Sequence, residues 1–178
     1  MKSIYFLLYI FNCCYSKDYK AVDNLNLDQY IGKWYQVYQD NFNKLFQGNG
    51  RCATAEYDIV ATNNISVYNE QINTKNEYDS ISGSAYYKDG DCCGYLTVKL
   101  DGSPEAPYWV LELGPVVNGL YDYSIVSDDK ALSLFVLARN VENFYKLYDD
   151  DVLLSLEEFG FTKSYNTPFI MNQTDCNI

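Results

Sequence analysis

Histidine is missing from this chain of 178 residues. That removes the commonest general base, every Ser–His and Cys–His nucleophile pair, and the commonest zinc ligand. Positive charge is scarce too. Lys and Arg number 13 against 24 Asp and Glu, a net charge of −11, which argues against a nucleic-acid partner and against simple adhesion to anionic membranes. Proline occurs only 4 times and tryptophan twice, so each Trp marks a place where a large ring has been accommodated. Beyond residue 16 no segment is apolar enough to span a bilayer. No metal site, cofactor site or catalytic constellation is expected.

What is present is aromatic. Tyr (19) and Phe (9) carry most of the 17% aromatic content, and hydrophobic residues make up 48%. Tyrosine combines bulk with a polar tip and suits walls that are apolar without being fully dry. Length and composition predict one domain with a proper core.

The N-terminus, MKSIYFLLYIFNCCYS, has one Lys before an apolar run, Ile4 to Phe11, and then small or polar residues. This is the form of a secretory signal peptide cut after Ser16, leaving a mature domain over 17–178. Lipid attachment at Cys13 or Cys14 is the rival reading, although the flanks do not resemble a bacterial lipobox. The mature part keeps Cys52, Cys92, Cys93 and Cys176. An even number in a secreted chain implies disulfides, and four cysteines allow three pairings. Two glycosylation sequons, at Asn64 and Asn172, agree with a secreted, extracellular fate.

After residue 30 the chain is a series of short strand-like runs separated by turn residues: 34–38, 53–60, 65–73, 78–87, 95–100, 108–113, 121–126 and 131–138. Eight strands with short connections pair as an antiparallel meander, and closing that meander into an up-and-down barrel removes both edges. The fold class is therefore all-β: an eight-stranded antiparallel barrel with room for one small ligand. In ISVYNEQIN, Ile65, Val67, Asn69, Gln71 and Asn73 share one face. Asn and Gln do not suit a sealed core, but they suit a cavity that takes a polar-headed ligand.

Two stretches break the pattern. DNFNKLFQGNG at 40–50 is a long connection holding Phe42, Leu45 and Phe46. It reads as a lid whose apolar residues could touch lipid particles or membranes. DDDVLLSLEEFG at 149–160 places Val152, Leu153, Leu156 and Phe159 on one helical stripe, with Asp149 or Asp150 as the cap and Gly160 as the stop. This C-terminal helix packs on the barrel wall. A short ninth strand is expected near 167–171.

Gly32-Lys33-Trp34, followed by Gly50-Arg51-Cys52, Pro107-Tyr108-Trp109 and Leu137-Ala138-Arg139 in order, resembles the signature of the lipocalins. Within that family the chain is most similar to the branch that holds apolipoprotein D and the bacterial lipocalins. The family's middle motif, Thr-Asp-Tyr, has no counterpart near Asn118-Gly119-Leu120, although Tyr123 stays in register. The resemblance implies that Trp34 plugs the closed end of the barrel under Arg139, that Cys52 pairs with Cys176, and that Tyr57, Asn69, Gln71, Tyr108 and Phe135 line the cavity. It finds no counterpart for Cys92 and Cys93: an adjacent disulfide, two free thiols and a link to a second chain all stay open. Family function would be carriage or sequestration of a small hydrophobic molecule of the fatty acid, steroid or retinoid class. The alternatives are protein binding, as an inhibitor or receptor ligand, and isomerisation of the ligand. The latter needs a reactive thiol, and Asp89 and Asp91 would hold a nearby thiol protonated.

Overall fold

A computed structural model describes residues 18–176, with the side chain of Phe46 excepted. The expected signal peptide lies outside the described residues.

The strands run β1 (Gly32–Gln39), β2 (Arg51–Ala61), β3 (Asn64–Ile72), β4 (Tyr78–Tyr86), β5 (Tyr95–Leu100), β6 (Ala106–Leu113), β7 (Val116–Val117), β8 (Leu120–Tyr121), β9 (Tyr123–Ser127), β10 (Leu134–Ala138) and β11 (Phe169–Ile170). Four helices join them: α1 (Leu27–Tyr30), α2 (Asn43–Gln47), α3 (Val141–Leu147) and α4 (Asp149–Glu158). Eight of the strands, β1 to β6 with β9 and β10, form an antiparallel up-and-down sheet that closes through β10 pairing with β1. This is the expected eight-stranded barrel. β11 adds to the same sheet beside β1, opposite Tyr38 and Gln39.

Local chemistry explains the departures from the expected boundaries. The last barrel strand begins at Leu134 rather than 131 because Ala131 adopts φ +53° and the Asp128 carboxylate ties the turn to Lys130 N, Leu132 N and Ser133 Oγ. The predicted strand at 121–126 starts at Tyr123, because Leu120 and Tyr121 pair back onto Val116 and Val117. Asn118 (φ +53°) and Gly119 (φ +85°) make that turn, the Asn-Gly pair that two-residue hairpins favour. This small hairpin stands where the family motif is missing.

The C-terminal helix is present, and α3 precedes it. Asn140 starts α3 by accepting a hydrogen bond from Asn143 N at 2.8 Å. α4 starts from Tyr148 with no side-chain cap, so neither Asp149 nor Asp150 caps it. The Asp149 carboxylate instead accepts from the Tyr38 hydroxyl at 2.7 Å. Gly160 ends the helix at φ +88°, a conformation that suits a residue without Cβ.

Two apolar clusters divide the interior. Phe144, Val152, Leu156, Phe159 and Phe161 pack the helices against the outer faces of Val37, Tyr38, Ile125 and Val136. The second cluster faces the barrel interior, from Tyr30 and Trp34 through Tyr57, Ile65, Val67, Leu96, Val110, Val126 and Leu137. Cys52 and Cys176 form the disulfide that the resemblance implied, with Cα atoms 5.5 Å apart. Next to it, Gln173 donates to the carbonyls of Gln36 and Ala53, so the tail bridges β1 and β2.

Candidate ligand site in the barrel

The floor is built around Trp34, which is fully buried. Gly32 at φ +88° admits β1 at this end. The Trp34 indole N–H donates to the Tyr30 carbonyl at 2.8 Å, and the Arg139 guanidinium lies 3.6 Å from the indole ring. The same guanidinium donates to the carbonyls of Lys33 and Ile31 (2.8 Å each), Tyr30 and Tyr121 (3.1 Å each) and Gln29 (3.4 Å). One planar fork thus satisfies five backbone acceptors and closes the barrel. Burial pulls the Arg139 pKa down to about 10.

Above the floor sits a cluster of hydroxyls. Tyr30 and Tyr57 stack with ring centroids 5.6 Å apart and planes 8° from parallel. The Tyr108 hydroxyl is bonded to that of Tyr30 at 2.8 Å and to that of Tyr57 at 3.1 Å, and Tyr30 reaches Ser124 Oγ at 3.2 Å. Among the described residues these four hydroxyls share three bonds. Four protons are available, so one donor is left over. Burial raises the pKa of Tyr30 to about 12 and raises those of Tyr57 and Tyr108 well above the ordinary phenol value. All three phenols are therefore neutral.

The half of the barrel toward the open end is lined differently. Gln36 and Gln39 of β1, Asn69 and Gln71 of β3, and Gln47 of α2 bring amides together. Gln71 Nε2 donates to the Gln47 carbonyl at 2.6 Å, and Gln47 Nε2 donates to Gln36 Oε1 at 2.9 Å. Gln36 Nε2, Gln39 Oε1, Gln47 Oε1, Asn69 Oδ1 and Gln71 Oε1 are shut off from solvent without a partner. Each such atom costs about 1–3 kcal/mol.

α2 is the piece that shuts this end. Asp40 Oδ1 accepts from Asn43 N at 2.8 Å, and Asn43 Nδ2 donates to the Leu134 carbonyl at 2.5 Å. Asp40 is fully buried, and burial raises its pKa to about 6. Of the three apolar lid residues, Leu45 stands 78% exposed and Phe42 is half-buried, its N–H bonded to the Tyr165 carbonyl. The Phe46 side chain lies outside the described part.

Tyr57, Tyr108, Asn69, Gln71 and Phe135 thus all come to the barrel interior, in two groups: Tyr57 and Tyr108 in the hydroxyl cluster, Asn69 and Gln71 among the amides. Phe135 pairs across the closing seam with Gln39 and packs on the interior cluster. Tyr30, Gln36, Gln39, Gln47 and Ser124 were not read from the sequence. Gln36 could have been, since it falls two residues after Trp34 on the same face of a strand. Two surface hollows of about 360 and 340 Å³ lie apart from the hydroxyl cluster, one at Asn49–Arg51 and Asn73, the other beside Leu153 and Phe161.

Cys92 and Cys93 stand outside the disulfide, with sulfurs 2.7 Å apart. The hydrogen bond with Cys92 raises the Cys93 pKa. The acid that adds to this is Asp23, not the predicted Asp89 or Asp91. Asn172 is exposed, and its side-chain oxygen accepts from Thr174 N and Oγ1. The Asn64 side-chain oxygen is buried without a partner.

The model of the lipocalin-like domain matches residues 25–161. The chain belongs to the lipocalin family. This lipocalin is 31% identical over 144 residues to the outer membrane lipoprotein Blc of Vibrio cholerae, covering 78% of this chain and 81% of Blc. It is 34% identical over 113 residues to the Lazarillo protein of Schistocerca americana, covering 61% of this chain and 49% of that one. Against apolipoprotein D of Macaca fascicularis it is 30% identical over 125 residues, covering 66% of this chain and 62% of that one. Among solved structures, H1 crustacyanin of the lobster Homarus americanus superposes with TM-score 0.65 at 17% identity, over 86% of the lipocalin and 82% of crustacyanin. The amine-binding protein of Rhodnius prolixus, solved with tryptamine, gives TM-score 0.58 at 21% identity, over 89% and 85%.

Proposed function

We propose that this lipocalin binds a small, mainly apolar molecule inside its barrel and carries or sequesters it. The observation that carries the reading is the interior itself: an apolar wall from Ile65 to Leu137 that ends in a hydroxyl cluster below and unpartnered amides above. Such a lining matches an apolar body with few polar groups. Tyr57, Asn69, Gln71, Tyr108 and Phe135 are its proposed contacts. The tryptamine complex of the Rhodnius protein supports a barrel that takes small molecules. Export through the leader at 1–16, and a glycan on the exposed Asn172, complete the proposal.

The test is a fluorescence titration of the mature protein with a fatty acid, a retinoid and a steroid, following its two Trp residues. Saturable quenching at micromolar levels or tighter by one class is expected. Flat curves for all three, in protein shown by mass spectrometry to be ligand-free, overturn the carrier reading.

A further inference from the structure

We propose that the amides at the open end form a head-group site for a hydroxylated lipid, closed by α2, and that this site turns carboxylates and amines away. The inference rests on the carrier reading and narrows it to a ligand class.

The first argument is a count of donors and acceptors. Of the five unpartnered amide atoms, Gln39 Oε1, Gln47 Oε1, Asn69 Oδ1 and Gln71 Oε1 are acceptors, and Gln36 Nε2 is a donor. The orientation of Gln71 is set by its bond to the Gln47 carbonyl. Turning both Gln36 and Gln47 keeps their mutual bond and leaves the count unchanged. Gln36, Gln39 and Gln71 are all more than nine-tenths buried, so these groups need a partner that is not bulk water. No strong hydrogen bond fixes which way Gln39 and Asn69 face, so across the five amides the partner must both donate and accept. A hydroxyl does both; a carboxylate only accepts, and an ammonium only donates.

The second argument is charge. Charge near the interior comes from Arg139, from Asp79 and from the buried Asp40 that follows Gln39, whose Oδ2 is also without a partner. Arg139 sits beneath Trp34, already shared among five carbonyls, and Asp79 pairs with Gln71 at the exposed rim. An anionic head would meet the Gln71 oxygen, whose orientation is fixed, and no cation among the amides. An ammonium would have only Asp79 at the exposed rim or Asp40, whose Oδ1 already accepts from Asn43 N and whose charge burial disfavours, and a poorly paired buried charge is disfavoured.

The third is access. The amide atoms are sealed in this closed form, and Gln47 of α2 holds both Gln36 and Gln71. Entry requires α2 to lift, which frees both amides at once. The head then replaces Gln47 as their partner, and the tail runs down to the tyrosines.

The experiment uses three probes with one chain: 1-monooleoylglycerol, oleate and oleylamine. Each is titrated calorimetrically into the mature protein below micelle-forming concentrations. Monooleoylglycerol is expected to bind at least tenfold tighter than the other two. In the Asn69→Leu/Gln71→Leu variant that preference should fall below threefold, mostly through weaker monooleoylglycerol binding. Should that variant fail to fold by circular dichroism, Gln47→Ala in the lid reads the same preference. Equal or tighter binding of oleate or oleylamine overturns the head-group assignment, as does a variant that weakens all three alike. If none of the three binds, the assignment falls, and the fatty acid, retinoid and steroid panel decides the carrier reading separately.

Discussion

Arg139 lies 3.6 Å over the ring of Trp34 while its nitrogens reach the carbonyls of five residues. The cation–π contact is the smaller part of what Arg139 does. A lysine keeps the charge but offers a single ammonium in place of the planar fork. Arg139→Lys is expected to leave two or more carbonyls unpaired and to destabilise the fold by about 3 kcal/mol. Urea unfolding followed by circular dichroism checks this. A loss below about 1 kcal/mol would show that the stacking, not the fork, closes the barrel.

Tyr108 is the hub of the hydroxyl cluster, holding both Tyr30 and Tyr57. Tyr108→Phe removes both bonds, strands the Tyr57 hydroxyl and leaves Tyr30 with Ser124 alone, so a loss of about 1–3 kcal/mol follows. Tyr57→Phe breaks one bond and should cost less. Thermal melts of the two variants side by side give the order.

Asp40 gives the lid a pH dependence of defined sign. Burial raises its folded pKa to about 6, above the ordinary carboxylate value, and the Asn43 N–H works against that rise. The stabilisation from protonating it is complete below about pH 4 and is lost as pH rises through about 6. Asp40→Asn retains the oxygen that Asn43 uses and cannot ionise. It should raise Tm at pH 7.5 by about 2–4 °C. It should also reduce the stability that wild type gains between pH 7.5 and 5. Parallel pH profiles for variant and wild type would contradict this.

The two kinds of cysteine should separate cleanly. Breaking Cys52–Cys176, which spans 124 residues, with a double Ser variant is expected to cost about 2–5 kcal/mol. The exposed Cys92 and the neighbouring Cys93 should tolerate Ser within about 0.5 kcal/mol. Guanidinium unfolding of each double variant measures the difference.

Local periodicity makes the barrel legible in the sequence. Runs such as YLTVKL lie between turn residues that stop a strand, and eight of them in sequence have one economical closure. The two residues of the floor, Trp34 and Arg139, were readable because they sit in short, ordered motifs. α3 was not, because VENFYKL is too short for its stripe to stand out beside α4. The cap expected for α4 is absent because Asp149 answers a tertiary demand, the hydroxyl of Tyr38. Tyr30 and Gln47 escaped notice for a related reason. Each comes from a short helix outside the strand pattern, and only the closed barrel shows that they reach its interior.

The tail that lies across β1 and β2 also sets an order of events. The meander from β2 to β6 joins neighbours in sequence, so its contacts need little loop closure. The seam of the barrel cannot close until β10 meets β1, and its clasp waits longer still, for Met171 N to reach the Val37 carbonyl and Gln173 those of Gln36 and Ala53. During synthesis β1 therefore remains an open edge until Leu134–Ala138 have emerged, and Met171 and Gln173 decide when the container is fastened.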